Sequence, residues 1–115
     1  MEDMNKRETF YDIKSFYNRK AKLKASCKGM RYQVEQVDSG DAGKKLRAYV
    51  WPEPFCFEKT PDGYKQSEEF EYSEDGLDAA YKWVCGCYME QKDRWGYAAK
   101  FPLDMAKKMG LAGNS

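Results

Sequence analysis

Histidine is absent from all 115 residues. That removes the Ser–His and Cys–His nucleophile pairs and the side chain that most readily moves protons near neutral pH. Gly-x-Gly is missing too, so there is no glycine-rich turn of the kind whose amides cradle a pyrophosphate. No stretch approaches the roughly 18 uninterrupted apolar residues of a spanning helix, and the leading Met-Glu-Asp-Met-Asn-Lys-Arg-Glu lacks the apolar run of a signal peptide. The expectation is a cytoplasmic protein with no membrane partner.

Cysteine is sparse and awkwardly spaced, at Cys27, Cys56, Cys85 and Cys87. With no export signal, free thiols are the better reading. A four-thiolate zinc site is the alternative, but it would normally show paired CxxC motifs. On a helix Cys85 and Cys87 would point about 200° apart, too far to chelate one ion. No metal and no cofactor is expected.

What is present suffices for one domain with a modest core: 42% of residues are hydrophobic and 16% aromatic. The net charge of +1 conceals an uneven distribution. Residues 1–31 hold nine Lys/Arg against four Asp/Glu, and residues 53–78 hold nine acids against two lysines. The bland reading is a pair of solvated faces; the sharper one is a working charged surface.

Residues 5–28 contain neither proline nor glycine. Phe10, Ile13, Phe16 or Tyr17, Ala21 and Leu23 recur at three- and four-residue steps, which predicts an N-terminal helix with Gly29 as its stop. Segments 31–38 and 45–51 flank a loop with Ser39, Gly40, Asp41 and Gly43 and read as a hairpin. In the second, Leu46, Ala48 and Val50 alternate with Arg47, Tyr49 and Trp51, giving one aliphatic face and one aromatic and basic face. Pro52 and Pro54 end that strand. Further strands are expected at 55–59 and 69–72, either side of a turn at 60–63. Ser73 is a good N-cap, and Glu74, Asp75 and Asp78 suit a helix start, so a long helix is expected over 74–93. Its core stripe is Leu77, Ala80, Tyr81, Val84, Cys85, Tyr88 and Trp95, with Gly86 marking a close contact or a bend. Pro102 and Gly110 bracket a short terminal helix. The fold class is α+β: an N-terminal helix, three or four antiparallel strands, a long helix packed on the sheet and a short C-terminal helix.

The stretch from Met30 to Trp95 carries Arg31-Tyr32-x-Val34-Glu35, Leu46-Arg47-Ala48-x-x-Trp51-Pro52-x-Pro54, Phe57-Glu58-Lys59-Thr60, and Phe70-x-Tyr72-Ser73-Glu74-x-Gly76 leading to Ala80-x-x-Trp83. In these features it resembles a group of short, uncharacterised proteins of Firmicutes phages and other mobile elements, some of them labelled acetyltransferases. The missing glycine-rich turn argues against that activity here. The resemblance implies a mobile-element origin, with residues 30–95 as the core, residues 1–29 as an added basic module and residues 96–115 as a terminal helix and tail within one compact domain.

Catalysis by paired carboxylates among residues 68, 69, 71, 74 and 75 lacks a pocket or a partner to shift a pKa. Cys27 beside Lys24 and Lys28 reads as an ordinary thiol before a nucleophile. A binding protein, not an enzyme, is therefore expected. Its partner would be a protein, with the acidic residues Glu68, Glu69, Glu71, Glu74, Asp75 and Asp78 imitating phosphates in the basic channel of a bacterial defence nuclease, as an anti-CRISPR-like inhibitor does. The alternative is an accessory protein that binds nucleic acid through Lys14, Arg19, Lys20, Lys22, Lys24, Lys28 and Arg31, with Tyr11, Phe16 and Tyr17 stacking on bases. A structural or assembly role in a mobile element is a further reading. An exposed aromatic face at Tyr49 and Trp51 is the remaining candidate surface.

Overall fold

The computed structural model describes residues 7–38, 40–53, 57–60 and 62–108. Four strands form one antiparallel sheet in sequence order: β1 (Leu23–Cys27), β2 (Met30–Asp38), β3 (Lys44–Pro52) and β4 (Gln66–Glu71). Three helices follow, α1 (Glu74–Glu90), α2 (Lys92–Lys100) and α3 (Pro102–Lys108). The fold is α+β, with a long helix after the sheet and a short one at the end. No helix among the described residues is long and apolar enough to cross a membrane.

Strand alternation sorts the sheet into two faces. Met30, Tyr32 and Val34 of β2 and Leu46, Ala48 and Val50 of β3 are buried toward α1. Against them lie Leu77, Ala80, Val84, Cys85 and Tyr88, with Tyr81 half-buried on the margin. From Leu77 to Tyr88 the expected core stripe is therefore the observed one. Phe70 of β4 packs on Trp83, their ring centroids 6.1 Å apart. Ser73 caps α1 by accepting a hydrogen bond from the Gly76 amide at 3.0 Å, as a serine before an acidic first turn should.

The N-terminal helix does not form. Residues 7–22 make two short 3-10 turns, Arg7–Phe10 and Tyr17–Arg19, and residues 23–27 are strand β1. Positive φ at Tyr11 (66°) and Lys20 (62°) is incompatible with a continuous α-helix. The three- and four-residue spacing of aromatics instead reflects two core plugs. Phe10 stacks on Tyr32 at 5.4 Å and meets Tyr81 edge-on at 5.1 Å. The buried Tyr17 hydroxyl donates to the Phe10 carbonyl at 2.9 Å. Residues 7–29 thus share one core with residues 30–95.

Gly29, expected as a helix stop, is half of a two-residue hairpin turn. Cys27 pairs with Met30, and Lys28 (φ 48°) and Gly29 (φ 100°) are both left-handed, as a type I′ turn requires. A Cβ at Gly29 would sit 1.9 Å from the Trp95 carbonyl oxygen, so the turn lies hard against α2.

The expected long helix is interrupted at Gln91, and Trp95 belongs to α2. Its indole Nε1 donates to the Cys87 carbonyl at 3.1 Å, fastening α2 to the end of α1. Gly86 marks neither a break nor a close approach, since a Cβ there would meet nothing within 4 Å. Of the strand expected at 55–59, Phe55 and Cys56 lie outside the described residues, and Phe57–Lys59 is a turn. The last strand begins three residues earlier than expected, at Gln66.

Candidate functional site

The sheet face turned away from α1 is built by register. Lys24 of β1 lies opposite Gln33 of β2, which lies opposite Tyr49 of β3, which lies opposite Ser67 of β4. The next row, Ser26, Arg31 and Trp51, runs parallel to it. On the other side, Glu35 faces Arg47, which faces Glu69. Lys22, just ahead of β1, reaches the Glu35 carboxylate at 3.3 Å.

Phe57 closes over the first two rows. Its ring meets Tyr49 at 4.7 Å and Trp51 at 5.4 Å, both edge-to-face, and the Lys65 ammonium stands 3.9 Å from its centroid. Beneath this loop lies a cavity of about 260 Å³, lined by Lys24, Ser26, Arg31, Gln33, Trp51 and Phe57 among others. That is below the roughly 300–1,000 Å³ of clefts that hold drug-sized ligands, so it suits a single ring or a small polar group.

Two polar atoms in this wall have no hydrogen-bond partner: Gln33 Oε1 and Arg31 Nε. Gln33 is only 2% exposed. A buried orphan costs about 1–3 kcal/mol, and folded proteins keep few of them. The amide is oriented by its surroundings. Its Nε2 donates to Glu35 Oε1 at 3.3 Å, and a carboxylate can only accept. The Tyr49 hydroxyl donates to the other Glu35 oxygen at 3.1 Å. Burial raises the Tyr49 pKa, so the phenol stays a donor. The Arg47 pKa is raised by its hydrogen bonds to the Glu69 carboxylate and to Tyr49. This row is an internally satisfied ionic brace.

The six acidic candidates do not form one surface. Glu69 is engaged by Arg47. Glu74 accepts from the Ile13 amide at 2.8 Å and pairs with Arg7 at 3.5 Å. Asp78 binds Arg7 Nε at 2.5 Å. Glu68 lies on the α1 side of edge strand β4, while Glu69 and Glu71 lie on the open side. Asp75 is exposed on the first turn of α1. Half of the proposed phosphate-like charge is therefore neutralised, and the rest is divided between faces.

The basic candidates are likewise split by the missing helix. Lys14, Arg19 and Lys20 are exposed in the N-terminal turns. Lys28 occupies the β1–β2 turn, and Lys22, Lys24 and Arg31 converge on the open sheet face. Of the aromatics proposed for stacking, Tyr11 is 52% exposed and stacks on Phe16, whereas Tyr17 is wholly buried. Trp51, expected on an exposed face, is 3% exposed, and Tyr49 is half-buried. They are cavity wall and support, not a bare platform. Cys85 and Cys87 are buried free thiols, and burial pushes the Cys87 thiol up to about 11, away from nucleophilic character. Cys27 is buried as well, and Cys56 lies outside the described residues.

Sequence reasoning found the aromatic and basic face of β3 but not Gln33 or the contribution of Phe57. A polar residue in an alternating strand carries no sign of whether it is buried. Compared with protein-family models, curated proteins and solved structures, the chain matches none.

Proposed function

We propose that this chain is a non-catalytic binding protein whose partner is single-stranded nucleic acid, taken on the open face of the sheet. The observation that carries the reading is the convergence of Lys24 and Arg31 beside Trp51 and Phe57, around one cavity on the open sheet face. Cations that track a backbone next to aromatic rings that receive bases are what a single strand requires, and each stacked base contributes about 1–3 kcal/mol. A duplex hides those bases and offers the cavity nothing to take.

Support for binding over catalysis comes from the missing histidine and from thiols made inert by burial. The reading of a nuclease inhibitor acting by phosphate mimicry has less to stand on, since Arg7 and Arg47 already occupy three of its six acids. A role in a phage or mobile element accords with either surface and with the resemblance of residues 30–95.

Fluorescence anisotropy with labelled single strands and hairpin duplexes tests the reading. Single strands should bind better than duplexes, and affinity should fall with salt by about 0.7 logarithmic units per phosphate neutralised. Lys24→Gln, at an exposed site, should weaken binding without altering the fold. Absence of binding to any single strand at low salt would refute the proposal.

A further inference from the structure

We infer that the two outer edges of the sheet pair with each other between copies of this chain, β1 of one against β4 of the next, so that the protein associates head to tail. The inference goes beyond the single-strand reading and does not depend on it. Among the described residues β1 pairs with β2 alone and β4 with β3 alone, so each presents an outer row of backbone groups to a further strand. Because the four strands alternate in direction, a β1 added beside β4 continues the antiparallel order.

The β1–β2 turn fixes which backbone groups point outward. In a two-residue hairpin the residues flanking the turn exchange both hydrogen bonds. Cys27 therefore directs its groups inward to Met30, while Lys24 and Ser26 direct theirs outward. Carried across the sheet, the same alternation sends Arg31, Gln33 and Glu35 to β3, sends Leu46, Ala48 and Val50 to β4, and turns Ser67 and Glu69 outward. The Glu53 amide, bonded to the Gly29 carbonyl at 2.9 Å, fits that alternation. At both edges the residues directed outward are those whose side chains stand on the open face of the sheet.

One register overlaps all five residues of β1 and keeps every residue on its own face. It sets Lys24 opposite Glu69 and Ser26 opposite Ser67, both as hydrogen-bonded pairs, and brings Leu23 against Phe70 on the core side. Lys22, just ahead of β1, then meets Glu71. Within one copy the row Lys22, Glu35, Arg47, Glu69 alternates in sign across the sheet and ends on a carboxylate at the β4 edge. Lys24 of the next copy continues the alternation.

Charges on an edge strand ordinarily keep other strands away. Here each edge repels its own kind, since β4 carries Glu68, Glu69 and Glu71 without a base, and β1 with Lys22 carries lysines without an acid. Pairing like edges sets like charges opposite each other, which destabilises a ladder, whereas β1 on β4 opposes unlike ones. Such a contact leaves one β1 edge and one β4 edge exposed at the ends, so growth does not stop at two copies.

Analytical ultracentrifugation of the full chain from micromolar to millimolar concentration tests the inference. At low salt the average mass should rise from the 13.4 kDa of one chain past twice that value without levelling off, and salt should reverse the rise. Lys24→Glu and Glu71→Lys, both at exposed sites, should each remain monomeric. Mixed in equal amounts, they should form a pair that grows no further, because the unaltered β4 of the first fits the unaltered β1 of the second and both remaining edges are spoiled. Should either variant misfold, the mass series on the unaltered chain decides alone. A mass that stays at one chain throughout, one that levels off at two chains, or a mixture no heavier than its components would overturn the inference.

Discussion

Gln33 and Glu35 stand two residues apart on the same face of β2, joined by a hydrogen bond from the Gln33 amide nitrogen to the Glu35 carboxylate at 3.3 Å. That contact fixes the sense of the amide, with its nitrogen toward the carboxylate. Replacing Glu35 by glutamine would let the neighbour donate as well as accept, and the Gln33 amide would lose its fixed sense. Glu35→Gln should cost about 1–2 kcal/mol in chemical denaturation, because the Lys22 ion pair goes with the charge and a single amide oxygen must then serve the Gln33 and Tyr49 donors.

Two glycines of α1 should respond to alanine in opposite directions. A Cβ on Gly76 would lie 1.8 Å from the Glu71 carbonyl oxygen, so the start of α1 is pressed against the end of β4. Gly76→Ala should lower stability by about 1–3 kcal/mol through overpacking. Gly86, inside the same helix with open space around it, should gain up to about 1 kcal/mol on the same change. Thermal melts of the two variants check both signs.

The buried Cys87 thiol should make stability fall in alkaline solution. Its pKa is pushed to about 11 by burial, with the Glu90 charge adding to the shift, from an ordinary value near 9. Between those values the unfolded chain loses the proton and the folded chain keeps it, so stability decreases as pH rises. The loss attributable to this residue should be on the order of 2 kcal/mol across that window. Denaturation midpoints from pH 8 to pH 11 should decline less steeply in Cys87→Ala than in the unaltered chain.

Charge reversal separates the acidic residues that brace the fold from those that do not. Glu69→Lys would set two cations against each other where Arg47 now binds a carboxylate. It should cost about 1 kcal/mol or more for a partly exposed pair in a network. Among the described residues Glu68 and Glu71 enter no ion pair, so reversing both should leave the melting temperature close to unchanged. Under the proposed function it should also strengthen single-strand binding at low salt; under phosphate mimicry it would abolish binding to a nuclease partner.

The parts of the fold that could be read in advance were those where one period dominates. The stripe from Leu77 to Tyr88 has a clean helical period and a cap at Ser73, and the alternation from Leu46 to Trp51 has a clean strand period. The N-terminal segment misled because Phe10, Ile13 and Tyr17 mimic helical spacing, while Phe10 and Tyr17 serve as core plugs and Ile13 packs partly buried beside them. The alternation of Leu23, Ala25 and Cys27 is only three apolar residues long, and the Lys28-Gly29 turn that confirms it lacks the Asn-Gly or Asp-Gly form that advertises a hairpin. At the site, Tyr49 and Trp51 were recognisable as an aromatic face. The lid was not, because Phe57 reaches them from a turn that follows two prolines, and no periodicity connects the two. Nor could the burial of Gln33 be read, since it depends on what that turn covers.

The most direct test of the account is amide chemical-shift mapping of the full chain titrated with a single-stranded oligothymidylate. The account predicts saturable shifts concentrated at Lys24, Ser26, Arg31, Gln33, Trp51 and Phe57, with the Gln33 side-chain amide resonances among those that move. Shifts confined to the acidic positions Asp75 and Asp78 or to α3, or none at any oligonucleotide concentration, would contradict it.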